Sequence, residues 1–285
     1  MTKKLFKDLK ILRRDFHQNY AELSTQEFRT CQKIFDYLIE NTEAKILKVG
    51  GTGVMAIFEG AEKGKTIMLR ADSDALPIIE TNTFAHKSIN PLVSHKCGHD
   101  GHTTILLGVA ELLTRNPIKK GKIVLLWQPA EENGTGAKTV MADKSFKKLK
   151  IDQVFALHNL PGIPLHKVVY KTGAFSANVR SLIIHLKGKT AHAAEPEHGE
   201  NQNEEKAVKL IKKSAEDLKL NHAKLATPFK WGEDFGLFTQ KIPGAMFGIG
   251  SGENCPALHN PDYDFPDEIT ETAATLFYKI LENAV

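Results

Sequence analysis

Apolar residues recur at two different periods along the chain, and the switches between them divide it into elements. Over residues 3–20, Leu5, Leu9, Leu12 and Phe16 fall three or four apart, and Phe28, Ile34, Phe35 and Leu38 continue a similar stripe over residues 25–40. Such spacing lines one face of a helix, so two amphipathic helices are predicted to open the protein. Short β-rich runs follow at 45–49, 54–59 and 66–70, divided by Gly50, Gly51, Gly53 and Gly60, and read as strands. Residues 102–114 return to the helical period through Ile105, Leu106, Val109 and Leu113, and the next run, 122–127, is apolar at nearly every position. Helices alternating with wholly apolar strands predict an α/β fold whose sheet is covered on both faces. Strands at 152–157, 168–171 and 245–249 and a helix at 268–281 complete the pattern, without an internal repeat or low-complexity tract.

The stretch 176–227 behaves differently. It holds a strand with alternating outlook (Val179, Leu182, Ile184, Leu186), a loop rich in His, Glu and Gly, and a helix over 203–218. A piece this small fits an inserted lid. The expected organisation is therefore a main domain in two parts, residues 1–175 and 228–285, with an insertion at 176–227.

Composition narrows the class. The chain is 41% hydrophobic and 25% charged, ordinary globular usage. Its net charge of +4 comes from scattered lysines, which argues against nucleic acid as a partner. Charges thread the apolar positions of the first helix and no run approaches about 18 apolar residues, so neither a signal peptide nor a membrane span is expected, and cytoplasmic residence is the default. Three widely spaced cysteines, Cys31, Cys97 and Cys255, do not make a disulfide framework.

Candidate chemistry lies where strands end. After the strand at 66–70 come Asp72 and Asp74, at the edge where α/β sheets present ligand sites, although Asp-x-Asp alone equally suits a turn-capping loop. The strongest local signal is HKCGHDGH, residues 95–102, directly before a helix. Imidazole, thiolate and carboxylate donors at this density suit zinc and its neighbours in the first transition row, and the glycines let Cys97 and His99 converge. Glu131 and Glu132 follow the apolar strand 122–127. Adjacent side chains project in different directions, so one can bind metal while the other stays free as general base. His158 and His259 each follow a strand as well; taken singly, such a histidine is more often a hydrogen-bonded structural residue, but several strand ends supplying ligand-type residues together point to a site. A nucleobase deaminase would need His-x-Glu followed by Pro-Cys-x-x-Cys, and that combination is not present, because no Pro-Cys-x-x-Cys occurs in the chain.

Taken together and in this order, RADSDALPI, HKCGHDGHTTILLGVAELL, WQPAEENGTGA, ALHNLPG, HAAEP, GEDFG and LHNPDYDF resemble the aminoacylase/carboxypeptidase type of zinc-peptidase-like amidohydrolases, over nearly the whole chain. That family includes hippurate hydrolases, N-acetyl-diaminopimelate deacetylases and hydrolases of auxin–amino acid conjugates. The resemblance implies a three-layer catalytic domain with a mixed central sheet. It also implies two divalent metal ions, Zn or Mn with Co or Ni as alternatives, held by Cys97, His99, Glu132, His158 and His259. By the same resemblance Glu131 is the general base, Asp74 supports the site from behind and His192 is a lid histidine that steadies the oxyanion. The implied reaction is hydrolysis of small N-acyl amino acids, N-acetyl or N-benzoyl, by metal-activated water. The sequence departs from the family in its lid. Most of the expected lid elements, and the asparagine and arginine used on the substrate's carboxylate, have no counterpart, which puts a homodimer through the lid in doubt. It also leaves a second reading: a metal-binding but catalytically impaired remnant or minimal form.

Overall fold

The structure, a computed structural model, describes residues 2–177 and 200–285. In chain order the elements are α1 (Lys3–Asn19), α2 (Phe28–Asn41), β1 (Lys45–Val49), β2 (Gly53–Glu59), β3 (Glu62–Asp72), α3 (His99–Arg115), β4 (Lys120–Gln128), α4 (Gly136–Ala142), α5 (Lys144–Lys147), β5 (Gln153–Leu160), β6 (Val168–Tyr170), β7 (Gly173–Ala177), β8 (Glu200–Asn203), α6 (Glu205–Asp217), β9 (His222–Lys224), β10 (Phe229–Gly232), α7 (Gly236–Thr239), β11 (Gly244–Gly250) and α8 (Ile269–Ala284). Eight strands form one mixed sheet in the order β1-β2-β4-β3-β5-β11-β6-β9.

The middle of that sheet positions the site. β4, β3, β5 and β11 run parallel, with Leu69 opposite Leu125 on one side and Phe155 on the other, and Gly248 opposite His158. Their C-terminal ends therefore share one edge of the sheet. Alternation explains the layering: Ile67, Leu69, Ile123, Leu125 and Trp127 face a helical layer that includes α1, α2, α3, α6 and α8, whereas Met68, Val124, Leu126 and Val154 face a second core with Val140, Phe146, Phe175 and Phe238. The result is three layers, with strands that are apolar on both faces because both faces are covered.

Two expectations are corrected. The helix expected over 203–218, grouped with the insertion, packs in the main helical layer: Ala207, Val208, Ile211 and Ala215 join the same core as α8, and the Asn283 side chain donates to Ser214 Oγ at 2.9 Å. Just before it, Asn203 clamps β11, donating to Met246 O at 2.7 Å and accepting from Met246 N at 2.8 Å. The helix expected from residue 25 starts at Phe28, because Thr25 has a left-handed backbone (φ 68°) and the chain turns there. β7 pairs with β8 and β10 in a separate three-stranded sheet. His192 and the strand expected through Val179–Leu186 lie outside the described residues. Among the described residues, no helix is long and apolar enough to cross a membrane.

Candidate metal centre

Each strand end delivers part of the site. Between β3 and α3, Gly98 takes a left-handed backbone (φ 92°), and a Cβ there would come within 3.0 Å of the Asn159 amide and the Tyr263 hydroxyl. Only glycine fits both demands, and the resulting turn faces Cys97 and His99 inward at the start of α3. After β4, Ala130 is also left-handed (φ 54°), and its N–H donates to the buried Glu27 carboxylate at 2.8 Å. That turn presents Glu131 and Glu132. His158 sits near the end of β5, and His259, again with positive φ (65°), is anchored by its N–H to Lys96 O at 2.8 Å. Non-glycine residues held left-handed cost about 1–3 kcal/mol each, and two of them here present site residues.

Residues distant in sequence thus meet. Ligand-type atoms of Cys97, His99 and His158 lie within 4.8 Å of one another, as do those of Cys97, Glu132 and His259 and those of His99, Glu131 and Glu132. Cys97 Sγ is 3.6 Å from His158 Nε2, and Glu132 Oε1 is 3.7 Å from His99 Nε2 and 3.8 Å from His259 Nε2. Asp74 stands behind: its Oδ1 is 3.2 Å and its main-chain oxygen 3.0 Å from His99 Nδ1, and its Oδ2 accepts from Glu132 N at 3.0 Å and from the Ser24 hydroxyl at 2.6 Å. With Nδ1 engaged, His99 Nε2 faces the cluster. His99 Nε2 and Glu132 Oε1 are buried and, among the described residues, have no hydrogen-bond partner. Buried polar atoms are rarely left so.

Burial and charge set the proton affinities. Burial, with Glu132 nearby, pushes the Cys97 thiol well above its ordinary pKa. Burial and Asp74 raise Glu132 to about 7 against the pull of His99. Burial, then Glu233, Asp234 and Glu132, hold Glu131 well above the ordinary carboxylate range. His158 is pushed down to about 3 by burial and by His102, so it is a neutral donor. Burial lowers His259 as well, whereas at His99 burial is outweighed by Asp72, Cys97 and Asp74, which raise its pKa well above the ordinary value. A buried thiol, two reluctant carboxylates and a histidine that holds its proton beside them fit divalent ions, whose charge would favour the deprotonated forms.

Several supporting residues carried no assigned role in the sequence reading. His102 Nδ1 is 2.5 Å from Asp72 Oδ1 and its Nε2 is 2.6 Å from Asn159 Oδ1. Buried Arg70 binds Asp72 at 2.6 Å, Asp234 at 2.8 Å and Gln128 at 2.9 Å, offsetting the acidic group around Glu131. Asp72, His102, Glu233 and Asp234 all lie in the motifs quoted above, which was the available signal; Glu27 and Trp231 had none. Above the cluster opens a cavity of about 520 Å³ lined by Cys97, Glu131, Glu132, His158, Glu233 and His259, with Leu160, Pro161, Phe229, Trp231, Ala257 and Leu258 as walls.

The sequence profile of peptidase family M20/M25/M40 matches residues 68–283. The chain belongs to that family. Among members of known activity, it is similar to an N-acetyl-L-cysteine deacetylase of Bacillus subtilis, 44% identical over 202 residues that cover 68% of this chain and 46% of the relative. It is also similar to an N-acetyldiaminopimelate deacetylase of Oceanobacillus iheyensis, 38% identical over 192 residues, 66% of this chain and 50% of the relative. The chain thus spans about half the length of these curated relatives. Among solved structures it resembles a dinuclear metal binding peptidase of the M20 family from Bacillus subtilis, with a TM-score of 0.86, 25% identity and 98% of both chains covered. A Legionella pneumophila aminopeptidase shares the fold at a TM-score of 0.65 and 12% identity, over 99% of this chain and 72% of that one.

Proposed function

We propose that this M20 family chain is a metal-dependent amidohydrolase acting on small N-acyl amino acids, with Cys97, His99, Glu132, His158 and His259 holding two divalent ions and Glu131 as general base. The observation that carries the reading is a pair of buried ligand atoms, His99 Nε2 and Glu132 Oε1, that have no hydrogen-bond partner among the described residues and lie 3.7 Å apart. Bound ions supply Lewis-acid polarisation of the amide carbonyl and lower the pKa of water to about 7. The thiolate of Cys97 favours a softer ion such as Zn over Mg. Asp74 holds His99 through Nδ1 and so fixes the tautomer that leaves Nε2 as donor. Glu131 borders the cavity but makes no comparable contact with His158 or His259, and its raised proton affinity suits a group that takes a proton from water and returns it to the leaving amine.

The deacetylase names of the relatives support the substrate class, an acylated amino acid. A second reading, metal binding without useful turnover, draws on the chain spanning about half of those relatives. One experiment separates them. The chain loaded with Zn²⁺ or Mn²⁺ is incubated with N-acetyl and N-benzoyl amino acids. Release of free amino acid that a chelator abolishes is expected; stoichiometric metal with no release would favour the second reading.

A further inference from the structure

Lys96 directly precedes Cys97 and is fully buried, a place where an ammonium is found only with partners. Two of its atoms reach the same short turn. Its main-chain oxygen accepts from His259 N at 2.8 Å and its Nζ donates to Tyr263 O at 2.7 Å, so one residue grips both ends of segment 259–263. Between those ends the chain closes on itself, Tyr263 N donating to Asn260 O at 3.0 Å. Glu80 supplies the counter-charge. Its Oε1 accepts from Lys96 Nζ at 2.5 Å, and its Oε2 is fixed by Ser88 N at 2.7 Å. The turn needs such a hold. His259 has a left-handed backbone (φ 65°), which a non-glycine residue keeps only where its surroundings over-determine it. Cys97, His99 and His158 are buried, whereas the His259 side chain is 52% exposed, so its placement depends on the backbone that carries it.

We infer that Lys96 is a positioning residue for His259, and that its ammonium sets how tightly the ion to which His259 contributes is held; this rests on the metal-centre reading above. Lys96 is joined to Cys97 along the chain, so its grip registers the Cys97 loop against the His259 turn, two ligand-bearing segments far apart in sequence. A charge-assisted hydrogen bond away from water is stronger than a neutral one at the surface, which suits it to that task. Without the ammonium, Tyr263 O keeps, among the described residues, the longer bond from the Asn82 side chain at 3.3 Å. The main-chain bond to His259 N stays. One end of the turn is then loosened while the Cys97 loop keeps its path, so the loss falls on one ligand and leaves Cys97, His99 and His158 together.

The test uses the full chain titrated with Co²⁺ against a competing chelator, with the visible absorption of bound cobalt as the readout. Lys96→Met keeps the length of the side chain and removes the ammonium. It is expected to weaken one of the two ions by about 10–100-fold, the usual effect of losing a group that orients a ligand, and to leave the other unchanged. His259→Ala already lacks that ion. Adding Lys96→Met to it should alter the remaining affinity by less than about twofold, as for two residues that act through one group. Unchanged affinities in Lys96→Met, equal weakening of both ions, or a further loss in the double variant would overturn the inference while leaving the metal centre intact. Fewer than two ions in the folded wild type would fail the two-ion reading instead. Should Lys96→Met not fold by circular dichroism, Glu80→Gln, which keeps the shape and removes the charge facing the ammonium, is expected to weaken the same ion selectively, and unchanged binding there overturns the inference in the same way.

Discussion

A single atom separates the two adjacent glutamates. Glu132 Oε1 faces His99 and His259 at 3.7 and 3.8 Å, whereas Glu131, besides burial, is held protonated chiefly by the carboxylates of Glu233 and Asp234. Glu131→Gln removes the titratable oxygen and keeps the shape. It should lower kcat by about 10²–10⁴-fold with metal content unchanged, the usual contribution of a general base; kcat close to wild type would remove Glu131 from that role. Where each of the two carboxylates points was legible only in outline from the sequence, because a Glu-Glu pair does not say which side chain faces which neighbour. Cys97, His99, His158 and His259 were easier to find, since each follows a strand and parallel strands end at one edge. Glu27 was not legible: it is a lone carboxylate at a helix start, and only the folded chain brings it to Ala130 N and the Thr52 hydroxyl.

At the scale of elements, the strand-to-helix turns carry the site, and their glycines are tightly constrained. A Cβ on Gly136, the first residue of α4, would lie 1.7 Å from the main-chain oxygen of Pro129, immediately before the Ala130 turn. Backbone cannot yield as a side-chain tip can. Gly136→Ala should therefore cost about 1–3 kcal/mol, as overpacking does, and lower kcat as well, because the displaced turn carries both glutamates. Denaturant midpoints and turnover on the same preparation check this; a stable, fully active variant would show that the turn has slack. The long elements were readable from period alone, and β1 falls on residues 45–49 as expected. α6 adjoins the insertion in sequence, yet its stripe of Ala207, Ile211 and Ala215 packs into the main core beside α8. Phe229 and Trp231 were missed for a related reason: a four-residue strand at the mouth of a cavity has no periodicity to report.

Across the whole molecule, a buried charge network ties the first helix to the loops that shape the site. Arg13 binds Asp267 and Asp264, each at 2.7 Å, and Asp100 at 3.3 Å, while Lys96 joins Glu80 at 2.5 Å. His17 bridges Asp100 at 2.8 Å and Glu80 at 3.1 Å. Burial opposes its charge, but hydrogen bonds to Asp100 and Glu80 prevail and push its pKa up from 6.5 to about 9. A histidine raised in the folded state stabilises fully below its unfolded pKa and loses that contribution as pH rises through the folded value. Stability of the metal-loaded protein should therefore fall by up to about 3 kcal/mol between pH 6.5 and somewhat above 9. Urea denaturation across that range checks it, and His17→Gln should flatten the slope; the same slope in the variant would assign it elsewhere.

All of this turns on whether the strand-end residues bind metal as one centre. Metal content after equilibrium dialysis against Zn²⁺ tests that most directly. Two ions per chain in the wild type, falling to one or none in His99→Ala with the fold retained by circular dichroism, is the predicted result. Less than one ion in the folded wild type, or two ions still held by the variant, would contradict it.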